Sequence, residues 1–188
     1  MHIGFTGHRP NRLKIGAARI RAHLDHALRQ LVAEAHRQTA TAQITAISAL
    51  AEGSDRIFAE SALDLGLVLE ALLPMPTAEY IGTFSDKSTL GQFETLLARA
   101  SKVEALPGSR TDSKTAYETL GNTMVERCDL LVTVWDGKAA AGRGGTTDVI
   151  ERALVQGRRV IWIDAATDQR PRLLLALHPI NISVPMRE

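Results

Sequence analysis

Two glycine-rich turns contain the residues of this chain that are best suited to bind a ligand. The first turn covers residues 4–10 and the second covers residues 142–148. Each turn follows an apolar, strand-like run and precedes a helical pattern. The N-terminus of a helix presents unpaired backbone N–H groups and a partial positive charge, and glycine lets an anion approach them closely. If the two turns lie side by side, they form one phosphate site of nucleotide size.

The second turn contains the stronger pattern. Gly144 and Gly145 can adopt backbone conformations that other residues disfavour, and Thr146 offers a hydroxyl and a helix cap. These residues predict a contact with a phosphate or ribose phosphate. Asp148 lies in the first helical turn, where its carboxylate would repel a phosphate, so we expect it to contact a ribose hydroxyl or to act on water. The alternative is a plain loop that only begins a helix.

The first turn supplies the positive side chain. A guanidinium binds phosphate through two parallel hydrogen bonds, so Arg9 is the expected anion contact. Gly7 and His8 are then expected to form the opposite wall of the site. The alternative is that Arg9 forms an ion pair with a neighbour such as Glu52 and that His8 is a solvated turn residue.

A third turn, after the second predicted strand, adds acidic candidates. Gly53 allows a tight turn that could contact the ligand, Ser54 is a suitable helix N-cap, and Asp55 is a favourable acid in the first helical turn. Capping explains Ser54 and Asp55 but does not require Glu52. Glu52 is therefore a candidate polar contact and, with Asp148, a candidate acid–base residue.

Strands and helices alternate along the sequence. Apolar runs predict strands, and apolar residues at helical spacing predict helices. The predicted strands cover residues 3–6, 44–50, 67–73, 102–106, 130–135 and 160–163. The predicted helices cover residues 12–37, 54–65 and 113–127 and a segment from 146 to 156, with a helical insert formed by 79–84 and 91–100. After residue 164 the pattern becomes weak.

This alternation predicts an α/β fold. We expect one Rossmann-like domain over residues 1–188, with a doubly wound, mostly parallel sheet flanked by helices. Ligands of such sheets bind beyond the carboxyl ends of the strands, where the strand order reverses. Each of the three turns follows the carboxyl end of a predicted strand.

Composition excludes several classes of protein. The 188 residues include 22 basic and 21 acidic ones, for a net charge of +1, which offers nucleic acid or a membrane no general attraction. The single cysteine, Cys128, excludes a disulfide within the chain and is expected to be buried and inert. No long apolar segment or leader pattern is present, which indicates a cytoplasmic protein. We expect no metal and no cofactor, because no cluster of ligand residues has suitable spacing.

The motifs resemble the SLOG superfamily of Rossmann-like proteins and are most similar to its YpsA-like branch. The resemblance includes the opening segment 5–10, the strand–turn–helix over 49–63, the segments 124–131 and 135–137, and the Gly-Gly-Thr turn at 144–146. It implies a nucleotide or nucleotide-derived ligand and self-association into a homo-oligomer. Lonely Guy enzymes of this superfamily, which cleave the base from a nucleotide, have a glutamate where this chain has Val149, and a basic residue expected in the YpsA-like branch is Asn122.

Three hypotheses for function follow. The first is nucleotide binding, as in a sensor, at Gly7, His8, Arg9, Gly53, Gly144, Gly145, Thr146 and Asp148. The second is hydrolysis of an N-glycosidic bond, with Asp148 or Glu52 as the acid–base group. The third is a DNA-binding or assembly module similar to DprA, for which the local basic residues are Arg12, Lys14, Arg19 and Arg21. The balanced charge makes a nucleic-acid partner the least favoured of these.

Overall fold

The fold is a sheet between two layers of helices, seen in a computed structural model that describes residues 1–139, 144–174 and 183–185. The strands are β1 His2–Gly7, β2 Thr45–Ser48, β3 Val68–Leu73, β4 Lys102–Ala105, β5 Leu130–Trp135, β6 Arg159–Asp164, β7 Arg172–Leu174 and β8 Ser183–Pro185. The helices are α1 Ala17–Gln38, α2 Ser54–Asp64, α3 Thr77–Ile81, α4 Leu90–Arg99, α5 Ser113–Arg127 and α6 Thr146–Val155. Short 3-10 turns cover Pro10–Arg12, Lys87–Thr89 and Arg110–Asp112.

Within these residues, the strands form one sheet in the order β4-β3-β2-β1-β5-β6-β7-β8. The neighbours from β4 to β6 are parallel, while β7 pairs antiparallel with β6, and β8 with β7. The predicted α/β fold with a mostly parallel sheet is therefore confirmed. The chain runs outward from β1 to β4 and then returns to place β5 on the other side of β1. This reversal puts the expected ligand-binding crevice at the carboxyl ends of β1 and β5.

Alternating side chains of the strands pack against different helix layers. Val132 and Val134 of β5 contribute to the core beneath α1, α2, α3 and α4, whereas Leu131 and Trp135 contribute to the core beneath α5 and α6. Both sets are buried, as expected for the apolar strands of a parallel sheet covered on both faces. Trp135 is thus a core residue, and its indole Nε1 donates a hydrogen bond to the Lys138 carbonyl at 2.9 Å.

The ends of several elements differ from the prediction. Helix α1 begins at Ala17, after a 3-10 turn and a Gly16 with φ of +81°, because that positive φ interrupts the helical backbone. The expectation that Ser54 caps α2 is wrong. Gly53, with φ of +95°, occupies the N-cap position, and the Ser54 hydroxyl donates to the His8 carbonyl at 2.8 Å. This hydrogen bond ties the turn after β2 to the turn after β1.

The helical insert between β3 and β4 is joined to the sheet through Arg56 of α2. This side chain is fully buried. Its Nε donates to the Leu50 carbonyl at 3.1 Å and its Nη1 donates to the Thr89 carbonyl at 2.8 Å. The guanidinium carbon also lies 4.7 Å from the centre of the Phe84 ring and 5.8 Å from that of Phe93. One cation therefore connects the turn after β2 to the insert.

No helix in the described part of the chain has both the length and the apolar character needed to cross a membrane.

Candidate functional site

A cavity of about 340 Å³ lies at the carboxyl ends of the central strands. Gly7, His8 and Arg9 of the first turn line it together with Gly144, Gly145 and Thr146 of the second turn. The two glycine-rich turns, which are far apart in the sequence, therefore meet at one site. The first two residues of the predicted second turn, Gly142 and Arg143, lie outside the described residues. That the six lining residues contact a ligand stays a prediction.

Arg9 lines the cavity, and two hydrogen bonds fix the position of its guanidinium. Its Nη1 donates to Glu52 Oε2 at 2.8 Å, and its Nη2 donates to the Tyr117 hydroxyl at 3.3 Å. The ion pair with Glu52 was the alternative given by the sequence, and it is present. The Arg9 side chain remains 37% exposed, and a guanidinium has five N–H donors. The two hydrogen bonds therefore orient the side chain and leave further donors available to a ligand.

Glu52 serves mainly to hold the insert against the site. Its two carboxylate oxygens accept hydrogen bonds from the backbone N–H groups of Ser85 and Asp86 at 2.9 and 2.8 Å and from the Ser85 hydroxyl at 2.9 Å. Burial opposes ionisation, but these backbone and hydroxyl donors and the Arg9 charge lower the pKa of Glu52 below its ordinary value. The lowered pKa keeps this carboxylate ionised at neutral pH, and Glu52 is not among the residues that line the cavity.

His8 is buried, so the alternative that it is a solvated turn residue is wrong. Its Nε2 lies 3.0 Å from Asp136 Oδ1. Arg12 donates to the same carboxylate, from Nη2 to Oδ1 at 2.7 Å and from Nε to Oδ2 at 3.1 Å. Burial lowers the pKa of His8 despite the hydrogen bond to Asp136, whereas hydrogen bonds from Arg12 and His8 outweigh burial and lower the pKa of Asp136 to about 2. The first turn is thus fixed to the end of β5.

The second turn presents the N-terminus of α6 to the cavity. Gly144 has φ of +78°, and Gly145 occupies the N-cap position in an extended conformation. Thr146 begins the helix, and no side-chain cap is formed at this end within the described residues. The first N–H groups of a helix have no partner within the helix, so those of this turn suit an anion. Gly145 and Thr146 line the cavity, and their contact with a phosphate stays a prediction.

Asp148 and Gly53 lie away from the cavity surface. The Gly144 N–H donates to Asp148 Oδ2 at 2.6 Å, so the carboxylate stabilises the turn internally. Asp148 lines a neighbouring groove between α5 and α6 instead, together with Asn122 and Arg152. Gly53 lies behind the first turn, where an added Cβ would come within 2.9 Å of the His8 carbonyl oxygen. Their proposed ligand contacts stay predictions, and neither lines this cavity.

Two buried polar residues of the cavity were missed as functional candidates in the sequence. Asp55 of α2 lines the cavity and is 5% exposed, and Tyr80 of α3 also lines it and is fully buried. Burial raises the pKa of Asp55 to about 7, although the charges of Arg9 and Arg56 and hydrogen bonds from backbone N–H groups oppose the rise. Burial also raises the pKa of Tyr80 well above its ordinary value. The Tyr80 hydroxyl has no hydrogen-bond partner among the described residues.

Of these two residues, only Asp55 could have been found from the sequence, because it lies directly after the turn that follows β2. It was not chosen, since a favourable interaction with the N-terminus of α2 already accounted for an acid there. Tyr80 lies in the irregular insert, whose packing could not be read from periodicity.

Part of the remaining cavity wall is apolar and is formed by Phe5, Leu120, Met124 and Val149. The wall also includes the polar residues Asn11 and Tyr117. The site therefore combines a guanidinium, a helix N-terminus, two buried polar groups and an apolar surface, which suits a small molecule with an anionic group and a flat or apolar part. Among the described residues, no group of three or more His, Cys, Asp and Glu side chains could hold a metal ion.

The sheet order and the cavity at its crossover define a Rossmann-like α/β protein with a cavity at the switch point of the strand order. No protein-family model and no curated protein matches the sequence. The fold is similar to the X-ray structure of DNA processing protein A (DprA) from Streptococcus pneumoniae, with a TM-score of 0.53 and 17% sequence identity. The match covers 86% of this chain and 49% of that one, so the chain spans about half the length of the DprA structure. This likeness concerns the fold alone.

Proposed function

We propose that the cavity binds a nucleotide or a nucleotide-derived molecule. The observation that carries this proposal is that Arg9 and the turn at Gly145 and Thr146 line one cavity at the switch point of the sheet. A guanidinium opposite a helix N-terminus supplies two kinds of donor to a phosphate. The apolar wall offers a surface for a base. The resemblance to the SLOG superfamily and its YpsA-like branch supports the same ligand class.

The size of the cavity favours a small ligand. A volume of about 340 Å³ lies at the lower end of the range of roughly 300–1,000 Å³ usual for ligand sites. The positive charges of Arg9 and Arg12 are balanced by the carboxylates of Glu52 and Asp136, respectively. The site therefore favours one phosphate at the α6 turn over a long, highly charged polyphosphate chain.

Two variants of Gly145 test this proposal. Gly145 has φ of −86° and ψ of 173°, which any residue adopts, and both Asp and Asn are favourable N-caps. The two side chains have nearly the same size, but only Gly145→Asp places a negative charge where the phosphate would bind. Isothermal titration with ribonucleoside mono-, di- and triphosphates, ADP-ribose and NAD measures the effect.

We expect at least one nucleotide to bind the native protein, and Gly145→Asp to bind it at least about tenfold more weakly than Gly145→Asn. Equal affinities of the two variants would contradict the phosphate position. If no nucleotide in the panel binds the folded native protein or raises its melting temperature, the proposed function is wrong.

Hydrolysis of an N-glycosidic bond is a second candidate function, because Asp55 is an acid–base group on the cavity surface. A carboxyl with a pKa of about 7 is suited to proton transfer near neutral pH. In this reaction water attacks C1′ of the ribose, Asp55 accepts the proton of the water, and the C1′–N bond breaks so that the base leaves and takes up a proton. Asp148 and Glu52 were the sequence candidates for this role, and neither lines the cavity. Release of free base that stops in Asp55→Asn, measured by chromatography, tests it.

A DNA-binding or assembly role, the third hypothesis, is favoured only by the fold. The basic residues that the sequence suggested for it are mostly paired with acids: Arg12 with Asp136, Arg19 with Asp168, and Arg21 with Asp64. We therefore propose it as the weaker alternative, to be tested by salt-dependent binding to single-stranded DNA. Assembly into a homo-oligomer, a single domain over residues 1–188 and a cytoplasmic location are proposed from the sequence, and light scattering after gel filtration tests the first.

A further inference from the structure

Strand β4 forms one edge of the sheet. Within the described residues it pairs with β3 on one side and with no strand on the other. Three of its four residues, Lys102, Val103 and Ala105, are exposed. An open edge strand presents unpaired backbone N–H and C=O groups, to which another strand can bind. The edge at β4 is therefore a candidate surface for strand pairing.

The backbone of Val103 points away from β3. In the register of the two strands Ala105 lies opposite Leu73, and the N–H of Leu106 donates to the Leu73 carbonyl at 2.9 Å. Backbone groups alternate in direction along a strand, so those of Glu104 face β3 in the same way and those of Val103 face the open edge. Val103 therefore offers one donor and one acceptor to a neighbouring strand.

The side chains of β4 divide between the two faces of the sheet. Lys102 and Glu104 share the face on which α5 lies, where Lys102 Nζ is 3.0 Å from Glu104 Oε2 and Arg127 Nη1 donates to Glu104 Oε2 at 2.9 Å. Val103 lies on the opposite face and is 45% exposed. It is one of two large apolar residues, with Val155, that are exposed in the described part of the chain. A second strand along this edge would cover part of Val103.

The segment Lys102-Val103-Glu104 is complementary to itself when two copies run antiparallel. If the Val103 residues of two copies lie opposite each other, they exchange two backbone hydrogen bonds, and Lys102 of each copy lies opposite Glu104 of the other on one face. Sliding the strands by two residues in either direction would place Lys102 opposite Lys102 or Glu104 opposite Glu104. The charges thus favour one register and oppose its neighbours.

We propose that β4 pairs antiparallel with β4 of a second copy of this chain, centred on Val103, so that the two sheets join into one. Charged residues on an edge strand usually oppose pairing with other strands, and here they permit only a strand of the same sequence. A four-residue edge buries little surface, so we expect a weak, concentration-dependent dimer. No residue of β4 lines the cavity, so this inference goes beyond nucleotide binding and does not depend on it.

Charge reversals in β4 test the pairing. Lys102→Glu places acids opposite acids, and Glu104→Lys places amines opposite amines. Sedimentation velocity of the full chain between about 10 μM and about 1 mM measures the fraction of dimer. We expect the native chain to dimerise in this range and each variant to associate at least about tenfold more weakly. Arg29→Glu makes the same change of charge on the exposed side of α1, away from β4, and should associate as the native chain does.

Two further measurements identify the register. An equimolar mixture of Lys102→Glu and Glu104→Lys should form a mixed dimer, and a chain with both substitutions should dimerise again, because each restores opposite charges across the pair. In the native chain the Val103 N–H should exchange with deuterium more slowly as the concentration rises, and in Lys102→Glu its exchange should not depend on concentration.

The outcomes decide between this surface and others. A native chain that stays monomeric over the whole range would overturn the proposal, and the edge would then be open or paired with a different protein. A dimer that persists unchanged in both single variants would also overturn it, because another surface would hold the copies together. If the single variants are monomeric but neither the mixture nor the doubly substituted chain dimerises, the proposed register is wrong.

Discussion

Asp55→Asn should change how the stability of this protein depends on pH. In the folded protein the pKa of Asp55 is about 7, because the carboxyl is buried, whereas its ordinary value is 3.8. Between these two values the unfolded chain releases the proton and the folded protein keeps it. The free energy of unfolding therefore falls as the pH rises through this interval, and it stops falling above about pH 7.

The size of the effect follows from the distance between the two pKa values. At about 1.4 kcal/mol per pH unit, this interval corresponds to about 4 kcal/mol as an upper figure for the native protein. Asparagine has no such titration. The difference in unfolding free energy between Asp55→Asn and the native protein should therefore shift in favour of the variant by up to about 4 kcal/mol from about pH 4 to about pH 8.

Urea unfolding followed by circular dichroism measures this difference at each pH. The difference is more informative than the native profile, since the lowered pKa of buried His8 makes stability rise with pH below its ordinary value of 6.5 and partly masks the effect of Asp55. Glu94→Gln, which removes one negative charge from the exposed side of α4, is the control and should run parallel to the native profile. If Asp55→Asn also runs parallel, the reasoning that burial raises the pKa of Asp55 is refuted.

Three other substitutions or reactions have definite expected results. Glu52→Gln should lower the unfolding free energy by about 2 kcal/mol at neutral pH, because an ionised acceptor of several hydrogen bonds is lost. The pKa of Glu52 is lowered in the folded protein, so the difference between variant and native protein should disappear as the pH falls through that pKa. Urea titrations at acidic pH would detect this loss. Gly7→Ala should lower the unfolding free energy by about 1–3 kcal/mol, because the new Cβ would collide with the Ser54 hydroxyl. Gly91→Ala, on the open surface of α4, should not destabilise the protein. Thermal melts that show Gly91→Ala to be as unstable as Gly7→Ala would contradict this reasoning. Cys128, whose burial raises its pKa to about 11, should resist alkylation at neutral pH until denaturant is added, and rapid labelling of the native protein in mass spectra would show that the thiol is accessible.

The sheet could largely be predicted because its strands are continuous apolar runs. The prediction for β5 over residues 130–135 matches the structure, and so does that for α5 over 113–127. Strands β7 and β8 were missed, since three-residue strands after residue 164 produce no clear period. The start of α1 was misplaced because periodicity alone does not distinguish the 3-10 turn Pro10–Arg12 and the Gly16 N-cap from continuous helix.

The candidate site could be predicted in part, for a different reason. The topology of a doubly wound sheet brings turns after its central strands together, so the shared cavity of Arg9 and Gly145 followed from the order of elements. Apart from the Arg9–Glu52 ion pair, which the sequence offered as an alternative, contacts between side chains did not follow. The hydrogen bonds of His8 to Asp136 and of Glu52 to Ser85 depend on how the insert and the end of β5 pack, and the burial of Tyr80 depends on the same packing. No local pattern encodes such contacts.

The buried guanidinium of Arg56 restricts how this chain could be shortened. Its charge is accommodated by the Leu50 and Thr89 carbonyls and by two aromatic rings, and Thr89 and both rings belong to the stretch between β3 and β4. Deleting that stretch would leave an unsolvated cation with most of its partners gone, which proteins tolerate poorly. A shortened protein would therefore need a neutral residue in place of Arg56. The deletion and the replacement of Arg56, made together, should lower the unfolding free energy by less than the sum of the two separate changes.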